Sequence, residues 1–125
     1  MTKCSIEIWG RAFELPVVYE CYSGEEILDA QKEAFAFLAG SKNEVARSLD
    51  AVKKYVRETK MGQLKDALLE NIFRYVMPKS IFVPHSEKHR AAAIMCDYKF
   101  DIEHGIAVVF EDGIVSKIGP QDIIL

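Results

Sequence analysis

Two histidines four residues apart form the pattern in this sequence that is closest to a metal site. They end the segment His85-Ser86-Glu87-Lys88-His89, and on a helix this spacing would put both imidazoles on one face. In the metalloprotease pattern a glutamate follows the first histidine directly, whereas this chain has Ser86, and local spacing supplies no third ligand. Because Pro84 and Lys88 are typical of an exposed turn, we expect solvated loop histidines and no bound metal.

Carboxylates and a third histidine gather near the C-terminal end of the chain. The candidates, which lie within eight residues, are Asp97, Asp101, Glu103 and His104. Such groups could coordinate a divalent cation or act as a general acid and base. They are equally typical of a turn, because an aspartate bonds to nearby backbone and Gly105 adopts torsion angles that other residues avoid. A turn is the preferred interpretation.

The three cysteines do not match a known thiol site. Cys4, Cys21 and Cys96 are an odd number, widely spaced and without a C-x-x-C pair, which fits neither a disulfide framework nor a zinc ribbon. Cys96 and His104 could be a nucleophile and its base, but a cysteine after the apolar run 91–95 is more typical of a core. Motifs for nucleotide and hydrolase chemistry are missing, so we predict no catalytic residue and no cofactor.

Acidic side chains in the predicted C-terminal hairpin are the candidate partner-binding residues. They are Asp101, Glu103, Glu111 and Asp112, with Lys99 as a nearby cation. Their charge would steer a cationic partner, although solvated carboxylates on a sheet edge have the same pattern. The formal net charge of −3 supplies no positive field for phosphate backbones, so nucleic acid is not an expected partner.

Helices in the middle of the chain must position these residues. The capping-box pattern Ser23-Gly24-Glu25-Glu26 predicts a first helix that runs to about Leu38. A second capping pattern at 41–44 starts a helix that ends before Gly62. Its apolar stripe is Val45, Leu49, Val52 and Val56. A third helix is predicted from Leu64, Leu68, Ile72 and Tyr75, with Pro78 just beyond its end.

Strands are predicted on both sides of these helices. Alternating apolar residues around Gly10 predict an N-terminal hairpin, and four later runs rich in branched residues predict strands. Asp112-Gly113 is typical of a two-residue hairpin turn. The elements indicate an α+β fold: an antiparallel sheet from the N-terminal hairpin and a C-terminal meander, with about three helices packed on one side. The apolar end, Asp122–Leu125, is expected to pack against the core.

Length and composition predict one globular domain, residues 1–125. Half of the residues are hydrophobic and 28% are charged, which is typical of an ordinary globular protein. No apolar run approaches the roughly 20 residues of a membrane-spanning helix, and Met1–Glu7 lacks the apolar core of a signal peptide. We therefore expect no membrane partner and a cytoplasmic location.

Both ends of the chain resemble one family. The segments Cys96–Phe110 and Gly119–Leu125, together with Trp9–Leu15 and Cys21–Glu26, resemble a bacterial family of small proteins, a domain of unknown function. The resemblance supplies no catalytic residues. Some small bacterial proteins of this kind are similar to immunity proteins of toxin systems, and this analogy implies a protein partner.

Three hypotheses follow for the function. The leading one is a non-enzymatic protein-binding module that neutralises a cationic toxin by covering its active site. The first alternative is a metal-assisted hydrolase that uses His85, His89 and the Asp101–His104 turn. The second is a structural subunit that pairs an exposed strand edge with a copy of itself, as a homodimer.

Overall fold

The N-terminal hairpin is confirmed by the computed structural model, which describes residues 3–21, 24, 26–59, 71–85 and 90–124. Strand β1 (Lys3–Ile8) pairs antiparallel with β2 (Arg11–Tyr19). Trp9 and Gly10 join them with φ angles of 51° and 84°, the positive values that a type I′ turn requires. The indole Nε1 of Trp9 donates a hydrogen bond of 2.9 Å to Ser48 Oγ, which ties the turn to the second helix.

Two helices follow, α1 (Asp29–Gly40) and α2 (Lys42–Thr59). Helix α1 begins later than the predicted capping box, of which Ser23 and Glu25 lie outside the described residues. Its first turn instead uses Gln31, whose Oε1 accepts the Leu28 N–H at 2.9 Å. The amide Nε2 of the same buried side chain donates to Glu20 O and Val83 O. Gln31 therefore fastens the start of α1 to the ends of two strands.

The apolar stripe of α2 is confirmed, since Val45, Val52 and Val56 are buried. The prediction of a third helix over the segment 64–75 is wrong for its described part. Residues 60–70 lie outside the described ranges, Ile72–Arg74 is a single 3₁₀ turn, and a strand follows at once. Of the residues whose spacing suggested a helix, Ile72 lies in this turn and Tyr75 directly after it, and the strand begins only at Val76.

The remaining strands form one sheet with the hairpin. They are β3 (Val76–Val83), β4 (Ala91–Tyr98), β5 (Ile106–Glu111) and β6 (Ile114–Gly119). The strand order is β1-β2-β3-β4-β5-β6. Pro78, predicted to lie just beyond a helix, falls in β3 where the register with β4 shifts between Pro78 and Ser80, because a residue without an N–H is tolerated at a bulge.

An α+β fold is thus confirmed, but the purely antiparallel sheet is wrong. β2 and β3 are parallel, with Val17 opposite Ile81, while the other neighbouring pairs are antiparallel. The helical pair between β2 and β3 returns the chain to the end of the sheet where β2 began. A connection of that kind yields parallel neighbours.

The sheet is buried on both faces over its centre. One face packs on the helices, with Ile94, Val108 and Phe110 fully buried. On the opposite face Ala93, Met95, Ala107 and Val109 form a second cluster, against which Ile123 and Ile124 pack. This confirms the predicted docking of the C-terminal segment. Among the described residues, neither helix has the length and apolar composition to cross a lipid bilayer.

Candidate partner-binding surface at the β4–β5 loop

The four predicted partner-binding carboxylates lie in two places. Asp101 and Glu103 are in the loop before β5, whereas Glu111 is the last residue of β5 and Asp112 is in the turn that follows. Five strand residues, 106–110, lie between the two pairs, and an extended strand advances about 3.3 Å per residue, so the pairs are on the order of 20 Å apart. The four carboxylates therefore do not form one acidic patch.

The histidines of the hydrolase hypothesis are also separated. His85 follows the end of β3, and its backbone N–H donates to Glu20 Oε1 at 3.2 Å. His104 follows β4, which runs antiparallel to β3, so it lies beyond the other end of the sheet, roughly 25 Å away at the rise of an extended strand. His89 is outside the described residues. Within the described ranges, no three histidine, cysteine or acidic side chains are grouped as metal ligands.

A network of hydrogen bonds holds the β4–β5 loop, residues 99–105, in one conformation. Asp101 N–H donates to Tyr98 O at 3.1 Å, and Gly105 N–H donates to Asp101 O at 2.9 Å. Two further bonds join the loop to other segments. Lys99 N–H donates to Tyr75 O at 2.8 Å, and Gln121 N–H donates to His104 O at 2.9 Å. The loop is therefore fixed both to the residue directly before β3 and to the C-terminal segment.

The side chains of Asp101 and His104 add a second clamp. Nδ1 of His104 lies 3.0 Å and 3.1 Å from the two carboxylate oxygens of Asp101, and the His104 N–H donates to the same carboxylate at 3.2 Å. The hydrogen bond and charge of Asp101 raise the pKa of His104, and the hydrogen bond from His104 lowers the pKa of Asp101. Both side chains are about half exposed, so the pair acts as a loop clamp in contact with solvent.

The loop holds an isoleucine out in the water. Ile102 is 86% exposed, although it lies between the two ends of the clamp. Ile102 is at the side of a groove of about 330 Å³, which it lines together with Phe73, Arg74, Tyr75, Met77, Asp97, Tyr98 and Lys99. We call Ile102, Glu103 and this groove the loop surface. Sequence reasoning missed Ile102, and the available signal was an apolar residue between two acids in a predicted turn.

Aromatic and charged side chains stiffen the loop surface. Tyr75 stacks on Phe100 with ring centroids 5.3 Å apart, and Lys99 Nζ lies 5.8 Å from the Tyr75 ring centroid. Asp97 and Lys79 form an exposed ion pair of 3.9 Å. The surface therefore has an apolar centre with charges of both signs around it, which is the arrangement of many protein interfaces.

The turn after β5 is built differently. Asp112 and Gly113 have φ angles of 52° and 81°, which confirms the predicted two-residue turn. Asp112 N–H donates to Arg90 O at 3.0 Å, and the Arg90 guanidinium pairs with Glu33 of α1. Gly113 is buried against the end of α1. This acidic turn therefore packs against the end of α1, and Arg90 is the cation beside it.

The thiols are of two kinds. Cys4 and Cys96 are buried, which agrees with the core position expected for Cys96, and Cys21 is exposed. Burial raises the pKa of Cys96 far above its ordinary value, and it also raises the pKa of Cys4. Cys96 faces the helices while His104 is exposed. They do not form a nucleophile and base.

A cleft lies between the N-terminal hairpin and the junction of the helices. Its volume is about 540 Å³, within the range of small-molecule sites. Most of its lining is apolar, including Ile6, Phe13, Leu38 and Val45, with Lys42 among the polar residues. None of the predicted site residues lines it.

Comparison with known proteins places the chain in a family whose function is unknown. No curated protein sequence and no solved structure matches the chain at a significant level. A family model described as a domain of unknown function (DUF6985) matches residues 1–125.

Proposed function

This chain belongs to the DUF6985 family, and from the loop surface we propose that it is a non-enzymatic protein-binding module. The observation that carries the proposal is Ile102, 86% exposed on a loop that hydrogen bonds hold at both ends. Burying such a side chain in a partner contributes roughly 1.5–3 kcal/mol. Because the loop is already ordered, binding would lose little conformational entropy.

The placement of the other candidate residues favours binding over hydrolysis. A metal-assisted hydrolase would need His85 beside the Asp101–His104 pair, and the length of β3 separates them. The imidazole of His104 is engaged by the carboxylate that shapes the loop. In their observed positions, Asp101 and His104 can hold the loop in a shape that a partner could bind.

In its finer form, the proposal is an immunity protein of a bacterial cytoplasm whose partner is a cationic toxin. The support is the net charge of −3 and the position of Glu103 next to Ile102. A partner with an apolar pocket and a basic border would bury Ile102 and face Glu103. Lys99 and Arg74 lie in the same groove, so the loop surface has mixed charge, and we expect charge to affect the association rate more than the affinity.

Co-purification from the native cell with matched variants tests the proposal. Ile102→Ser removes the apolar centre of the loop surface, while Ile114→Ser changes an isoleucine on β6 that is 59% exposed. We expect a stoichiometric partner with the wild type and with Ile114→Ser, and its loss with Ile102→Ser. Equal recovery with all three proteins, or no partner with any of them, would contradict the proposal.

Charge reversal then tests the finer form on the isolated partner. Glu103→Lys should slow association and weaken its dependence on ionic strength, whereas Glu111→Lys, at the other end of β5, should leave both unchanged. A partner whose association rate is independent of salt would argue against a cationic toxin while leaving the binding module intact.

A further inference from the structure

Strand β1 is an edge strand of the sheet and pairs with β2 along one side. In the described part of the chain no strand pairs with its other side. Lys3, Ser5 and Glu7 are exposed along it, whereas Cys4 and Ile8 face the core. An open strand edge is a template for another strand, unless its side chains prevent pairing.

The direction of the backbone groups on β1 follows from the neighbouring strands. Glu20 N–H donates to Val83 O at 2.9 Å, so even-numbered residues of this stretch point their backbone groups at β3. Odd-numbered residues of β2 point theirs at β1, where their partners are Cys4, Ile6 and Ile8. The N–H and C=O groups of Lys3, Ser5 and Glu7 therefore point to the open edge, because these groups alternate along a strand.

These three residues complement a second copy of themselves. When two β1 strands run antiparallel with Ser5 opposite Ser5, Lys3 of each copy lies opposite Glu7 of the other. Opposite residues share a face, so both charge pairs fall on the exposed face, and Cys4 falls opposite Ile6 on the core face. The three pairs on this edge are those whose backbone groups are available to bond.

Other registers lose this match. With Ile6 or Cys4 at the centre, Lys3 no longer faces Glu7. With Glu7 or Lys3 at the centre, like charges face each other, which destabilises an antiparallel pair. A lysine on an edge normally discourages pairing, but here Glu7 makes Lys3 complementary to a copy of the same strand.

We propose that two copies of this chain pair through β1, antiparallel, with Ser5 on the two-fold axis. The two six-stranded sheets then become one continuous sheet, and the contact is isologous, as in most homodimers. The β4–β5 loop lies on other strands of the sheet, so each dimer presents two loop surfaces. This inference does not depend on the proposed function.

Charge exchange on the untagged full chain tests the pairing. Sedimentation velocity over a range of concentrations should show a monomer–dimer equilibrium that higher salt shifts towards monomer. Lys3→Glu and Glu7→Lys should each raise the dissociation constant at least tenfold, because each puts like charges opposite each other twice. The double variant Lys3→Glu/Glu7→Lys should restore dimerisation. A monomeric wild type, or a dimer that both single variants leave unchanged, would overturn the proposal.

A cross-link tests the register. Facing residues of a hydrogen-bonded antiparallel pair have Cα atoms about 5.5 Å apart, which suits a disulfide. In a Cys21→Ser background, Ser5→Cys should form a covalent dimer on mild oxidation. Ser116→Cys, on the other edge strand β6, is the matched control and should stay monomeric on a reducing-agent-free gel. Cross-linking of Ser116→Cys at an equal or greater rate would exclude the β1 interface.

Discussion

The loop before β5 and the turn after it contain similar residue types, but the loop is presented to solvent and the turn is packed against a helix. Both contain aspartate and end in a glycine with positive φ, Gly105 at 60° and Gly113 at 81°. The β4–β5 loop is clamped by its own side chains and presents Ile102 to solvent. The β5–β6 turn is buried against α1 at its glycine. Local composition indicates that the chain turns, whereas the packing of other segments decides whether the turn is presented or docked.

The largest expected effect is at Gly105. A Cβ there would lie 2.6 Å from Cys96 O and 2.5 Å from Gln121 Nε2, and the backbone oxygen of a central strand cannot rotate away. Together with the cost of positive φ, Gly105→Ala should destabilise the protein by roughly 2–4 kcal/mol. Urea unfolding measures the change. Adding Gln121→Ala should not restore stability, because the contact with Cys96 O remains.

Gly113→Ala should cost less, about 1–2 kcal/mol. The nearest atom to its added Cβ is Ser41 Oγ, which can change rotamer, and the next is Phe37 O at 3.0 Å. The same urea experiment compares the two glycines. If the cost in a Ser41→Ala background is not smaller than in the wild type, or if Gly113→Ala matches Gly105→Ala, the distinction between the two turns is wrong.

The clamp of the β4–β5 loop predicts a pH window. The folded pKa of His104 is raised, so its contribution to stability is present below the ordinary pKa of 6.5 and is lost as the pH rises through the folded value. The folded pKa of Asp101 is lowered from 3.8, so its contribution is lost as the pH falls through the folded value. The ion pair is therefore intact between the two folded pKa values.

NMR titration of the His104 imidazole measures this window. Asp101→Asn should lower the His104 pKa towards its ordinary value, and Asp97→Asn, which removes a carboxylate from the adjacent strand, should change it less. A His104 pKa that is the same in the wild type and in Asp101→Asn would show that the clamp is absent in solution.

Ile102→Ser should have the smallest effect on stability, within about 0.5 kcal/mol, because the side chain is 86% exposed and leaves no cavity. Its thermal midpoint should equal that of the wild type. A loss above about 1 kcal/mol would mean that Ile102 packs on its own chain, and the loop surface would lose its apolar centre.

Periodic patterns predicted the elements best where one face of an element packs on a single neighbour. The stripe of α2, the N-terminal hairpin and the Asp112-Gly113 turn follow from local spacing, and the structure confirms them. The third helix failed because Ile72 and Tyr75 satisfy a helical spacing while Val76 begins a strand. A short apolar run does not distinguish the two periods.

The candidate site was predicted in part. Asp101, Glu103 and His104 lie in the loop that the sequence indicated, but Glu111 and Asp112 lie at the far end of β5. Proximity in the chain suggested one acidic patch. The strand between the two turns places them at opposite ends of β5, because an extended chain advances about 3.3 Å per residue.

Local sequence was enough to predict the α+β class, the N-terminal hairpin, the Asp112-Gly113 turn, the buried face of α2 and the docking of the apolar C-terminal segment. Each of these depends on neighbours in the chain or on burial of a periodic apolar face. Three features appear only in the folded molecule: the parallel pairing of β2 and β3, the bonds from Gln31 to Glu20 and Val83, and the exposure of Ile102. These features depend on which distant segments are in contact, and the local spacing of residues cannot predict such contacts.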